Sequence, residues 1–273
     1  MTATRTEPRP GVTAASKPPV RRRSAGTPMR GLIPLALVLL LWQALGNSES
    51  PYFPPPSAWI RALKPSLDDG TLYAGLGWTT LTVVLSLVLA TTLGAVLGAL
   101  VGSSRRMDRA FGPSLEFLRV LPAAALVPLA ALILGYTMQM KLAVVILPAT
   151  WPVLLTCRSA RRSMSSVLVD VTRTLGLSRR QRIRKVMVPA LMPAVLLGLR
   201  VSAPLALIIT LLVEIVTRIN GLGALLGQAQ ANFRSAQVYG LLVIAGALGF
   251  AVNWLVTRAE GAVAARMSGG PTG

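Results

Sequence analysis

The sequence contains no histidine and a single cysteine, Cys157. A disulfide within the chain is therefore excluded, as are zinc sites built from histidine and cysteine and catalytic triads that use a histidine base. Charged residues are also scarce, at 14% of 273 residues, whereas about 25% is usual in soluble domains. Together with 53% apolar residues, this scarcity predicts a membrane protein rather than a soluble domain with a large core.

A nucleotide-phosphate loop is also missing. None of the four lysines (Lys17, Lys64, Lys141 and Lys185) follows a glycine, so the chain has no Gly-Lys-Ser/Thr motif. Without histidine, an intramembrane enzyme would have almost nothing to use as a base or a metal ligand. We therefore predict a chain without catalytic residues, cofactor or metal, which depends on another subunit if its function needs ATP.

Acidic residues are few: nine, against 28 basic residues, which gives a net charge of +19. Such a charge is compatible with nucleic-acid binding. The basic residues, however, lie between apolar runs, and aromatic residues do not alternate with them as a base-stacking surface requires. We therefore expect no nucleic-acid partner and assign the charge to a membrane surface.

Apolar runs dominate what is present. They are rich in leucine, alanine and valine without polar alternation, which favours helices over a β-barrel. A perpendicular crossing needs about 20 residues, so the first and fourth runs must include flanking residues. The sequence predicts an all-α membrane protein with about six transmembrane helices, at 31–46, 78–101, 115–136, 142–157, 191–217 and 238–256.

Lysine and arginine predict the orientation of these helices. With the N-terminus inside, the cytoplasmic segments 1–30, 101–119, 158–190 and 257–273 hold seven, four, nine and two basic residues, 22 in all, and the outer segments hold five. Under the positive-inside rule both termini are cytoplasmic, in the inner membrane of a bacterium.

The first 30 residues are rich in proline, threonine, alanine and arginine. They have too little apolar surface to fold alone, so we expect residues 1–30 to be a disordered basic cytoplasmic tail and residues 31–273 to be the membrane domain. A cleaved signal peptide is less favoured, because no small-x-small site follows Leu45.

The segment 165–190 is basic and lies between apolar runs. Gly176 suits the left-handed residue that ends a helix, and Ser178 suits the N-cap of the next one. We predict a helix-turn-helix in which Ile183, Val186 and Met187 form an apolar stripe opposite Arg180, Arg182 and Arg184. A basic loop that only contacts lipid headgroups is the alternative from composition alone.

Spacing favours a more specific interpretation. The segment resembles the E-A-A-x3-G-x9-I-x-L-P loop in the permease subunits of binding-protein-dependent ABC importers, with every gap matched. The matching residues are Asp170, Val171 and Thr172 for E-A-A, then Gly176, Val186, Val188 and Pro189. The resemblance extends from about residue 51 to the C-terminus and is greatest to the nitrate, sulfonate and taurine branch, in the blocks 54–59, 121–135, 187–200 and 220–226.

This resemblance implies a type I importer permease fold. It also implies four partners: a cytoplasmic ABC ATPase, an extracytoplasmic solute-binding protein, a second permease copy and membrane lipid. The loop would dock in a groove of the ATPase. The residues implied for that coupling are Asp170, Val171, Thr172, Arg173, Gly176, Ser178, Arg180, Arg182, Val186 and Pro189.

Two features inside the apolar runs remain. Glu214 lies near the outer end of the fifth run, where it either lines the mouth of the solute pathway or caps a packed helix end. An ion-coupled carrier or channel is the alternative function, although only Glu214 and Arg200 are ionisable at membrane depth.

Gly94, Gly98 and Gly102 recur every four residues, which predicts close packing against another helix of the same subunit.

Overall fold

The computed structural model of the chain describes residues 29–47, 50–165 and 174–268. Regular structure in these ranges is entirely helical, which confirms the predicted all-α class. The helices are α1 Met29–Leu45, α2 Pro56–Asp68, α3 Thr71–Gly102, α4 Arg105–Leu118, α5 Ala123–Leu134, α6 Met138–Ser163, α7 Arg179–Thr217, α8 Leu222–Ala231 and α9 Ser235–Ser268. The chain divides into two units, Met1–Leu41 and Trp42–Gly273. The packing described below is that of the second unit, and the predicted tail 1–30 falls almost wholly outside the described residues.

Four of the described helices are long and apolar enough to span a membrane: α3, α6, α7 and α9. They contain four of the six predicted crossings. The first predicted crossing corresponds to a shorter apolar helix, Ile33–Leu45, so a span there stays a prediction.

The predicted crossing at 115–136 is not one straight helix. The chain forms α4 and α5 instead, with a bend of 92° between them. Pro122 lies at the bend and N-caps α5 in an extended conformation. Proline lacks a backbone N–H and disfavours a helical residue before it, so this position favours the end of one helix and the start of the next.

Helix α6 lies between α3 and α7. Half of its apolar window is buried, against 22% for that of α9. The three glycines of α3 face α6: a methyl group on Gly94 would lie 2.8 Å from the Thr150 carbonyl oxygen, and one on Gly102 would lie 2.6 Å from that of Arg158. The glycine repeat therefore packs within the subunit, as predicted.

The contact of α6 with α7 uses a different glycine, which the sequence analysis missed. A methyl group on Gly198 would lie 2.7 Å from Thr156 Oγ1, and the Ser202 hydroxyl donates to the Ala149 carbonyl at 2.7 Å. Small residues thus bring both neighbours against α6. The buried core around this contact comes from α3, α5, α6 and α7.

Three aromatic side chains, one each from α1, α2 and α9, contact one another. Trp42, in the last turn of α1, contacts Trp59 of α2 and Tyr239 of α9, with ring centroids 5.1 and 5.3 Å apart. The Trp59 indole N–H donates to the Pro54 carbonyl at 2.9 Å. Tryptophan and tyrosine are typical of the membrane–water interface, where their rings are apolar and their polar groups remain hydrated.

A tight turn joins α2 to α3. Gly70 adopts a left-handed conformation with φ +75°, and the Thr71 hydroxyl and N–H donate to Asp69 Oδ1 at 2.7 and 2.9 Å. These hydrogen bonds, the hydroxyl first, hold the pKa of the Asp69 carboxyl below its ordinary value.

Candidate transmission loop and buried ion pair

The start of α7 is built as predicted. Gly176 has φ +62°, the left-handed conformation that glycine adopts without strain. Ser178 N-caps α7 in a capping box: its hydroxyl accepts from the Gln181 N–H at 3.3 Å, and its own N–H donates to Gln181 Oε1 at 2.9 Å. The turn 176–178 is thus fixed by glycine conformation and by local hydrogen bonds.

The first half of the predicted helix-turn-helix lies outside the described residues. That segment contains Asp170, Val171, Thr172 and Arg173, so their coupling role stays a prediction. Only the turn and the helix after it can be described.

The second predicted helix is not a separate short element. It begins at Arg179, passes through a π-helical turn at Ile183–Met187 and continues to Thr217. Pro189, the last residue of the matched motif, lies within this continuous helix. Proline removes one hydrogen bond and crowds the carbonyl four residues earlier, and the wider π turn just before it makes room for that carbonyl.

The predicted separation of arginines from the apolar stripe is wrong for Arg182. Arg180 and Arg184 are exposed, but Arg182 is half-buried. It lines a cavity of about 260 Å³ together with Ile183 and Val186. Residues four apart share one side of a helix, so Arg182 lies with Val186 rather than opposite it.

An ion-pair cluster holds the neighbouring end of α6. The Asp108 carboxylate of α4 accepts from Arg158 Nε at 2.6 Å and from an Arg162 guanidinium nitrogen at 2.5 Å. Glu116 adds a longer contact with Arg158, at 3.7 Å. The sequence analysis had counted these arginines only as topological charges. Their carboxylate partners lie about 50 residues earlier, so only the fold brings the groups together.

At the other end of α7, Glu214 forms a buried ion pair with Lys141. The Lys141 ammonium lies 2.7 Å from Glu214 Oε1, and both side chains are fully buried. Lys141 also donates to the Asn220 carbonyl at 2.9 Å. The sequence analysis had assigned Lys141 to an outer segment. Its place at the edge of an apolar run was the one local sign of burial.

The second carboxylate oxygen of Glu214 accepts two further hydrogen bonds. They come from the Thr79 hydroxyl at 2.8 Å and from the Gly223 N–H at 2.9 Å, and Thr79 in turn accepts from the Leu222 N–H at 2.8 Å. The carboxylate therefore sits at the N-terminus of α8, where free N–H groups favour a negative charge. Contact between Glu214 and a solute stays a prediction, because Glu214 is fully buried in the single chain.

Glycine next to this carboxylate is a steric requirement. A methyl group on Gly223 would lie 2.6 Å from Glu214 Cβ, and one on Gly221 would collide with the carboxylate itself. The block 220–226, noted in the sequence for its resemblance, is the segment that closes over the ion pair. Among the described residues, no cluster of acidic, histidine or cysteine side chains could hold a metal ion.

The chain is similar over most of its length to transport proteins. One relative, named as the aliphatic sulfonates transport permease protein SsuC of Bacillus subtilis (strain 168), is 28% identical over 245 residues, 89% of this chain and 88% of that protein. The bicarbonate transport system permease protein CmpB of Synechocystis sp. (strain ATCC 27184 / PCC 6803 / Kazusa) is 29% identical over 228 residues, 79% and 81% of the two chains. The nitrate import permease protein NrtB of the same strain is 26% identical over 244 residues, 86% and 89% of the two chains.

Solved structures show the same fold. A chain of the inward-facing MetNI methionine ABC transporter superposes with a TM-score of 0.62 at 18% identity, covering 73% of this chain and 98% of that one. A second crystal form gives 0.59, with 70% and 95% covered. Residues 90–269 match the family described as binding-protein-dependent transport system inner membrane component. The chain belongs to that family of multi-pass inner-membrane permeases.

Proposed function

We propose that two copies of this chain form the solute pathway of an ATP-driven importer. A separate cytoplasmic ATPase binds the segment 170–189, the transmission loop, and an external binding protein delivers a small solute to the opposite side. The family match, which includes this segment, is the observation that carries the proposal. The chain's lack of a phosphate loop assigns ATP hydrolysis to the other subunit.

Helix α7 supplies the mechanical connection. Its 39 residues span roughly 58 Å at about 1.5 Å per residue, enough to join the two faces of a membrane. One end carries the Ser178 cap and the arginines of the loop. The other end carries Glu214, which is bonded to α3, α6 and α8. When the ATPases close on ATP, a displacement of the loop therefore reaches the opposite ends of three other helices.

The ion-coupled alternative draws little support from the buried charges. A coupling ion needs an ionisable group that it can reach. Lys141 and Glu214 are fully buried and neutralise each other, and Arg200 lies near Glu260 at 3.7 Å. Three of the named relatives are permeases for sulfonates, bicarbonate and nitrate, and we propose a small solute of this kind here.

The test is reconstitution with the ATPase and the binding protein of the same importer. Gly176→Val forces a β-branched residue into the left-handed region, which costs at least about 1–2 kcal/mol. No described residue lies within 4 Å of where a methyl group on Gly176 would stand, so among these residues a defect comes from the backbone and not from a collision. We expect solute-stimulated ATP hydrolysis in liposomes to fall about tenfold or more. Gly176→Asn is the matched control, because asparagine tolerates this conformation.

Charge reversal tests the contact itself. Arg180→Glu with Arg182→Glu should abolish co-purification of the ATPase, whereas Arg234→Glu, at the other end of the fold, should not. A loop that contacts only lipid would keep the ATPase bound in both variants. Full coupled hydrolysis and transport by Gly176→Val would show that the loop is not the transmission element.

A further inference from the structure

A cavity of about 580 Å³ opens beside the ion pair, at the end of α7 that faces away from the transmission loop. It lies between the start of α3, the segment 218–221 and α8. Its lining includes a guanidinium, two side-chain amides and an indole, from Arg218, Asn220, Gln228 and Trp78. Donors of these types around one small cavity suit a small oxyanion, because each of its oxygens needs a hydrogen bond.

The positive charge of Arg218 is not neutralised within the described residues. No carboxylate lies within ion-pair distance of it there, and its side chain is exposed to solvent. Glu214, one helical turn earlier, is committed to Lys141, Thr79 and Gly223. Asp69 lines the neighbouring cavity and accepts from Thr71. The cavity is thus lined by a guanidinium, that of Arg218, which no described carboxylate neutralises.

The backbone fixes where that cation lies. Arg218 ends α7 in the left-handed conformation, with φ +57° and ψ +18°, a position that glycine usually fills. Its Nε lies 3.2 Å from where a methyl group on Gly227 would stand, so the side chain rests against α8. A strained conformation persists only when its surroundings determine it, and such positions concentrate at functional sites.

The wall of the cavity is held rigidly. Asn220 lines the cavity, and its carbonyl accepts from the buried Lys141 ammonium. Two residues further on, the Leu222 N–H is bonded to Thr79. Residues 218–222 are therefore anchored to α3, α6 and α7 through the ion-pair network, which preorganises the cavity for a ligand.

We propose that this cavity is an entry site for a small oxyanion with a sulfonate, nitrate or carbonate-type group, and that Arg218 supplies the attracting charge. This inference rests on the proposed function, because it assigns the solute its charge and its first contact with the permease. Relatives named for sulfonates, bicarbonate and nitrate transport such anions. The Arg218 guanidinium is the group in this cavity whose charge and N–H donors suit an oxyanion.

The test is the rate at which a cysteine in the cavity reacts with charged reagents. Ala224→Cys places a thiol in the lining of this cavity and outside that of its neighbour. The full chain in lipid nanodiscs is treated with the 2-sulfonatoethyl and the 2-trimethylammonioethyl methanethiosulfonates; the first is itself a short sulfonate. We expect the sulfonate reagent to react faster once each rate is divided by that of the same reagent with a free thiol such as 2-mercaptoethanol. Arg218→Gln should lower the ratio of the two rates about tenfold, because it removes a unit charge from the cavity wall.

Three controls make the result specific. Arg218→Lys keeps the charge and should keep most of the preference, and Arg234→Gln, in the neighbouring cavity, should leave the ratio unchanged. The parent chain should not react, because its one cysteine, Cys157, is buried. Sodium nitrate and sodium methanesulfonate should slow the sulfonate reagent more than equal ionic strength of sodium fluoride does.

The proposal is overturned if Arg218→Gln leaves the rate ratio unchanged, or if the Ala224→Cys chain shows no preference for the anionic reagent. If Arg218→Gln does not fold, the effect of salt on Ala224→Cys alone decides. The proposal is also overturned if the preference does not decrease when salt is raised from 10 to 150 mM. Over that range the screening length shortens from about 30 to 8 Å. The reaction needs neither ATPase nor binding protein, so its failure is distinguishable from a failure of the importer assignment.

Discussion

Lys141 and Glu214 depend on each other, because each would be costly to bury alone. The carboxylate accepts three hydrogen bonds, from Lys141, Thr79 and Gly223, and the ammonium has a second acceptor in the Asn220 carbonyl. A buried pair of this kind contributes little compared with well-packed apolar residues, but removing one partner leaves an uncompensated charge. The pair therefore acts mainly by requiring that α3, α6, α7 and α8 meet in one arrangement.

We predict that Lys141→Met or Glu214→Met alone lowers the free energy of unfolding by about 3–5 kcal/mol. The double variant Lys141→Met with Glu214→Met should lose less than either single variant, since no charge remains unpaired. Denaturation of the purified chain in detergent, arranged as a double-mutant cycle, measures this coupling. Additive losses would show that the two side chains act independently.

The matched control is the exposed pair of Arg200 and Glu260. Their charged atoms lie 3.7 Å apart, and the side chains are 54% and 31% exposed. Glu260→Gln should cost less than removal of either partner of the buried pair, because both side chains remain accessible and the contact is longer. In the reconstituted importer, Glu214→Gln should reduce uptake and leave the ATPase bound, because the affected end of α7 is remote from the loop.

At the scale of the helices, the close packing of α3 on α6 depends on the absence of side chains. A methyl group on Gly98 would lie 2.9 Å from Cys157 Cβ and would also collide with the Leu154 carbonyl oxygen. Gly98→Ala should therefore cost about 1–3 kcal/mol, the usual range for overpacking. A shift in the thermal unfolding midpoint of the purified chain measures this loss.

Gly246, in the middle of α9, is the control for that substitution. Open space surrounds the position of its methyl group, so Gly246→Ala should be neutral or should stabilise the helix by about 0.5–1 kcal/mol. An equal loss in both variants would show that glycine flexibility, and not the contact with α6, matters at Gly98.

These helices also show what the sequence could predict. The glycine spacing of α3, the left-handed Gly176 and the Ser178 cap follow from local rules, and the structure confirms all three. The sequence indicates that prolines such as Pro122 interrupt the apolar runs, but it does not distinguish a kink from a sharp bend and gives no sign of the π turn before Pro189, because membrane helices tolerate proline. The Lys141–Glu214 and Asp108–Arg158 pairs join residues 73 and 50 positions apart, and no local pattern predicts such contacts.

For the molecule as a whole, the property to be tested is its orientation in the membrane. Asp69 of the α2–α3 turn lines one cavity together with Gln228 and Ala229 of α8. The turn and α8 therefore lie at the same end of the fold. The distribution of basic residues predicts that this end is outside and that the loop at Arg180 is inside. Reporter fusions at Asp69 and Gln230 should read outside, and one at Arg180 should read inside. A cytoplasmic signal at Asp69 or Gln230, or an outside signal at Arg180, would reject the topology.

The π turn at Ile183–Met187 separates two α-helical parts of α7, Arg179–Arg182 and Val188–Thr217. A π turn holds about one residue more than an α turn, and each residue of an α-helix advances about 100° around the axis. Moving this turn one position along the chain re-aims the side chain that it passes, while the helix remains unbroken and Glu214 keeps its partners. We therefore expect this turn to take up a rotation of the loop, while the helix from Arg179 to Thr217 still carries a displacement along its length.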